Sequence, residues 1–82
     1  MLEIKRIVKT YETVLLGEQA LVRVLDNGEE RIRRTSIVRK IFRDDNTDTL
    51  SFVTNSGTIY TNDQSLLKYQ DLIECAIDFS QQ

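Results

Sequence analysis

Apolar and polar positions alternate along most of this chain, and that alternation predicts strands. In "ALVRVL", Ala20, Val22 and Val24 fall on one side and Leu21, Arg23 and Leu25 on the other. This is the period of two expected of a half-buried strand. "DNGE" follows. Asn and Gly both tolerate positive φ, as a type I′ hairpin turn requires, so Glu29 to about Arg34 should return antiparallel to the strand before it. "LEIKRIVKTYE" is rich in β-branched and aromatic residues, with Leu2, Ile4 and Val8 on one side and Ile7 and Tyr11 on the other. It predicts a strand from Leu2 to about Glu12. "LSFVTN" puts Leu50, Phe52 and Thr54 on one face, Ser56 and Gly57 make a tight turn, and "TIYT" returns.

Two segments break this rhythm. "TSIVRKIF" carries Ile37, Val38, Ile41 and Phe42 at helical spacing behind a Thr-Ser pair that could cap a helix. Three of those four are β-branched, however, and hairpin signals flank the segment, which favours a strand. In the tail the period changes. Leu66, Leu67, Tyr69, Leu72, Ile73, Ala76 and Ile77 form a helical stripe opposite Lys68, Gln70, Asp71 and Glu74. A helix is expected at about 63–78, capped by Asn62, Asp63 or Ser65. The fold class that follows is mainly β (α+β): a small five- to six-stranded antiparallel sheet, barrel-like or bent, with a C-terminal helix.

Composition narrows the reading. The chain has 82 residues, 40% hydrophobic and 29% charged, as one globular domain would. A chain of this size buries only about 60% of its unfolded surface, so a homodimer would be one way to cover more. The single cysteine, Cys75, cannot form an internal disulfide, and "MLEIKRIVKTYE" contains no signal-peptide core. No apolar run is long enough for a membrane span. A cytoplasmic location is expected. There is no histidine, the commonest general base and metal ligand. Neither a catalytic site nor a metal, cofactor or small-molecule substrate is expected. The loop "DDNTD" only superficially resembles a cation loop, because position 49 is Thr and position 55 is Asn. Cys75, flanked by Glu74 and close to Asp78, reads as a structural thiol.

Charge is unevenly distributed. The net charge of −2 argues against wholesale nucleic-acid binding, yet Arg31, Arg33, Arg34, Arg39, Lys40 and Arg43 follow one another with no acid among them. If two adjacent strands carry this run, Arg31 and Arg33 would lie beside Arg39 and Arg43 as a patch for phosphate or carboxylate. Phe42 and Tyr60 are the rings to inspect for base stacking beside such a patch. The plainer alternative pairs the arginines with Glu29, Glu30, Asp44 and Asp45 across the sheet. Asp71, Glu74 and Asp78 form an acidic helix face, best read as solubilising.

Residues 13–60, with Glu12 just before them, contain "ETVLLG", "ALVRVLDNGE", "RRTSIV" and "FVTNSGTIY". Together these resemble a type of short protein found in phages and mobile elements of Gram-positive bacteria. The shared pattern is a strand, a glycine turn, a Thr-Ser pair before a Val-containing strand, and a late hairpin. The resemblance implies a small accessory or regulatory protein and no particular reaction; the extended C-terminal helix departs from it. The expected function is a non-enzymatic interaction module that binds a macromolecular partner, protein or nucleic acid, or assembles with itself.

Overall fold

The computed structural model describes residues 3–68. Six strands form one sheet: β1 (Glu3–Thr10), β2 (Leu21–Asp26), β3 (Glu29–Arg34), β4 (Val38–Asp44), β5 (Thr49–Thr54) and β6 (Thr58–Thr61). A short helix, α1, occupies residues 64–68. The fold is mainly β with a C-terminal helix, as the alternation predicts. "TSIVRKIF" resolves as strand: its β-branched residues extend as β4. Of the helix expected at 63–78, the part beyond residue 68 lies outside the described residues, and with it Cys75, Asp71, Glu74 and Asp78.

Local turn chemistry sets the hairpins. Asn27 and Gly28 have φ of 52° and 81°, the type I′ geometry, and Asp26 faces Glu29 directly. Gly57 closes the β5–β6 turn at φ 86° and donates its N–H to the Thr54 carbonyl at 3.0 Å. Asp63 caps α1, its carboxylate accepting the Ser65 N–H at 2.9 Å. Asn62 instead ties the β4–β5 end, accepting the Leu50 N–H at 2.7 Å.

The sheet order is β3-β2-β1-β6-β5-β4. All pairs are antiparallel except β1 with β6, which run parallel. The sheet is therefore mixed rather than antiparallel throughout, and among the described residues no pairing of β3 with β4 closes it into a barrel. Hairpin signals report only neighbours in sequence, whereas β1 and β6 are the first and last strands among the described residues.

Residues directly opposite on paired strands share a face. By that rule Ile7, Val22, Val24, Ile41, Phe52 and Tyr60 all lie on one face, called inner here. They belong to a single core cluster with Val14, Ala20 and Val38, and Phe52 stacks on Tyr60 with ring centroids 5.0 Å apart. Val38 on one edge strand can join Val22 in that cluster only because the sheet bends around it. On the outer face, Ile4, Ser51 and Thr61 are also buried. Leu67 lines a cleft with Ile4 and Leu25, and Leu66 lines another with Phe42, Val53 and Ile59, so α1 stands on this face.

The connection between β3 and β4 decides the most. Tracing the pairings, β3 and β4 run in the same sense, with only residues 35–37 between them. Three residues reach about 10 Å, whereas laying two parallel strands side by side takes a crossover of a dozen or more. The chain therefore runs on, and β4 is handed from one half of the sheet to the other. Segment 17–20 accompanies it: Thr35 N–H to the Ala20 carbonyl at 2.8 Å, Val38 N–H to the Glu18 carbonyl at 2.9 Å, and Gly17 N–H to the Val38 carbonyl at 2.9 Å.

Candidate anion-binding face

The sequence places six cations in one run, but the fold disperses them. β3 and β4 are the two opposite edges of the sheet, so Arg31 and Arg33 do not adjoin Arg39 and Arg43. The expected side-by-side patch is corrected on this point, and the short link at residues 35–37 is the reason. Within β3, Arg31 and Arg33 lie opposite Val24 and Val22, hence on the inner face, while Arg34 lies opposite Leu21 on the outer one. Each is held by its own chain: Arg31 to Glu29 at 2.8 Å, Arg33 to Asp26 at 3.7 Å and Arg34 to Glu12 at 3.5 Å. Of these acids only Glu29 is one the sequence suggested. On β4, Lys40 lies opposite Val53 on the outer face and Arg43 opposite Leu50 on the inner face, with a bulge at Arg39 between Val38 and Lys40. Charged side chains on both edge strands keep other chains from adding on there, which gives much of this run a structural role.

The two rings also separate. Phe42 is 58% exposed on the β4 edge, whereas Tyr60 is only 8% exposed. Tyr60 is a core ring and offers no surface for stacking. Burial raises the pKa of its hydroxyl, with Lys5, Glu3 and Arg33 supplying opposing charge effects. Lys5 bonds Glu3 at 3.3 Å and Asp26 at 3.5 Å. Burial works against its charge, but the Glu3 hydrogen bond and the charges of Asp26 and Glu3 outweigh that and hold its pKa above the ordinary value.

A different surface emerges on the outer face of β1, β2 and β3. Register builds it in rows. Arg6, Leu25 and Glu30 form one; Lys9, Arg23 and Ile32 form the next. Tyr11, whose N–H donates to the Leu21 carbonyl at 3.1 Å, continues with Leu21 and Arg34. A bulge between Ile7 and Lys9 makes this possible. Strict alternation would turn Lys9 away from Arg6; the extra residue, Val8, brings both onto the outer face.

Lys9 thus sits directly opposite Arg23. Like charges in that position destabilise a sheet. Tyr11 moderates the cost: Lys9 Nζ lies 5.1 Å and Arg23 Cζ 5.9 Å from its ring centroid, within cation–π range. Among the described residues neither cation has an ion-pair partner. The surrounding surface is apolar as well as cationic, with Tyr11 37%, Leu25 37% and Ile32 55% exposed.

Sequence reasoning missed this cluster because it followed the longest basic run. The available signal was Arg23, a lone cation inside the apolar strand "ALVRVL". The bulge that aligns Lys9 with it leaves no mark in the residue pattern.

Elsewhere, the Asp44 carboxylate accepts the Asn46 N–H at 3.0 Å and shapes the β4–β5 turn. Among the described residues, no group of carboxylate or thiol side chains is arranged to hold a metal ion. No helix among them is long and apolar enough to cross a membrane. Compared with known proteins, the chain matches no family model, no curated protein and no solved structure.

Proposed function

We propose that this chain is a non-catalytic interaction module that binds an anionic macromolecule through the outer face of β1, β2 and β3. The observation that carries this reading is the opposed pair Lys9 and Arg23, set beside exposed Tyr11, Leu25 and Ile32. Two cations placed face to face, with no ion-pair partner among the described residues, repel each other, and the Tyr11 ring offsets only part of that cost. An anion between them turns the repulsion into two charge-assisted contacts, and the neighbouring apolar side chains add area that is desolvated on binding. The role fits the accessory or regulatory character implied by the resemblance to phage and mobile-element proteins.

The test is a pull-down from the native host with nuclease-treated and untreated arms, comparing wild type with Leu25→Asp/Ile32→Asp. These two positions are exposed, so the variant should keep its circular dichroism spectrum. The wild type should retain a partner that the variant loses. Equal capture by a folded variant sinks the proposal.

A further inference from the structure

We infer that Lys9, Tyr11 and Arg23 form a phosphate-binding cluster for a single nucleic-acid strand; this rests on the interaction reading above and names its partner. Three observations converge. First, among the described residues the two cations are brought together by a bulge and by the Tyr11 ring rather than by a carboxylate. The site is preorganised for an anion from outside.

Second, the cations recur along the strand direction. Arg6 lies one row before Lys9 and Arg23, and Arg34 one row after. Rows two residues apart are about 7 Å apart, so a polyanion lying along β1 and β2 meets a positive side chain at each step. Arg34 is already engaged by Glu12 at 3.5 Å, which leaves Arg6, Lys9 and Arg23 as the principal contacts.

Third, the surface between the cations is apolar and partly aromatic. Leu21, Leu25, Ile32 and Tyr11 share the face. Unpaired bases can rest on such side chains, whereas in a duplex they are stacked away. The carboxylates of a purely acidic chain such as poly-glutamate would satisfy the cations but bring no ring or apolar side chain to this floor. Duplex readout calls for an element that protrudes into a groove, whereas the cluster lies flat on β1 and β2, on the outer face beside α1.

With a net charge of −2 on the whole chain, binding must come from this local field and be sensitive to salt. Two to three phosphate contacts predict a log–log salt slope of about −1.4 to −2.1 for a single strand, so an eightfold rise in salt weakens binding about 20- to 80-fold.

The experiment is fluorescence anisotropy with a labelled oligothymidylate of about 12 nucleotides, titrated from about 25 to 200 mM salt. The same strand in duplex form and a poly-glutamate competitor are run alongside. Wild type is expected to bind the single strand with that slope, and more tightly than the duplex. Lys9→Gln/Arg23→Gln should weaken binding at least about tenfold and make the slope shallower by about 1.4. Tyr11→Leu should cost about fivefold or more with the slope unchanged. Arg31→Gln, on the inner face and paired with Glu29, should stay within about twofold of wild type.

Unchanged binding by the folded double variant overturns the inference. So does duplex binding as tight as single-strand binding, or equal competition by poly-glutamate with no effect of Tyr11→Leu. If wild type ignores every oligonucleotide yet retains a protein in the Leu25/Ile32-sensitive pull-down, the nucleic-acid partner is wrong and the interaction module stands. If both assays are empty, both proposals fall.

Discussion

Replacing Thr35 by valine exchanges one hydroxyl for a methyl group of nearly the same size, at the junction that separates β3 from β4. Thr35 is buried, and so is Ala20 beside it. The Thr35 hydroxyl accepts the Ala20 N–H at 3.0 Å and donates to the Ser36 carbonyl at 2.8 Å. The Thr35 N–H returns to the Ala20 carbonyl at 2.8 Å. Valine fills the same volume, so no cavity term arises, and β propensity favours it slightly. Its cost is the Ala20 N–H, left buried without an acceptor, which is worth about 1–3 kcal/mol. For a chain of this size each kcal/mol lowers the melting midpoint by about 4–8 °C, so the fall should be about 4–24 °C. Thr35→Ser keeps the oxygen and loses one buried methyl, about 0.8 kcal/mol. Thermal unfolding followed by circular dichroism gives the midpoints, and amide hydrogen exchange at Ala20 reports the junction itself. Valine should speed that exchange; serine should leave it close to wild type. A Thr35→Val midpoint at or above that of wild type would show that this hydroxyl does not hold the junction, and the account of the β3–β4 handover would fail.

Other outcomes follow from the same structure. Phe52→Ala removes a fully buried ring stacked on Tyr60; it should cost about 3–5 kcal/mol, a large part of the roughly 4–12 kcal/mol expected of a domain this size, so urea unfolding that retains most of the wild-type stability would contradict the core assignment. Gly28→Ala forces a side chain onto a φ of 81° and should cost about 1–2 kcal/mol in the same assay. Lys5 and Tyr60 both hold their protons more tightly when folded. Their contribution is therefore complete below the unfolded values, 10.5 and 10.0, and is lost as pH rises through the folded ones. Stability should fall above about pH 10, and Tyr60→Phe should flatten that decline; an equally steep decline in the variant argues against a buried phenol. Arg31→Gln breaks an exposed pair with Glu29 and should change stability by less than about 1 kcal/mol, with no added salt dependence beyond wild type.

The strands were legible because their signals are local. Ala20, Val22 and Val24 share the core as the alternation in "ALVRVL" requires, and Asn27-Gly28 fixes both the turn and the register that follows it. Leu50, Phe52 and Thr54 likewise face inward together. The candidate site was legible only in its ingredients. Six cations in a row suggest one surface, and Arg31, Arg33, Arg34, Arg39, Lys40 and Arg43 are spread over two edges and two faces. Tyr60 looked available for stacking and is packed on Phe52.

The residue order alone determined where the chain extends, where it turns, and which side of each strand is greasy, because those properties depend on neighbours within a few positions. Only the tertiary structure decided which strands touch. The parallel meeting of β1 with β6, the three-residue link that sends β4 to the far edge, and the bulge that swings Lys9 over to Arg23 all depend on contacts between distant residues. Such contacts are selected by how the whole sheet bends to enclose its core, and no short stretch of chain carries that information.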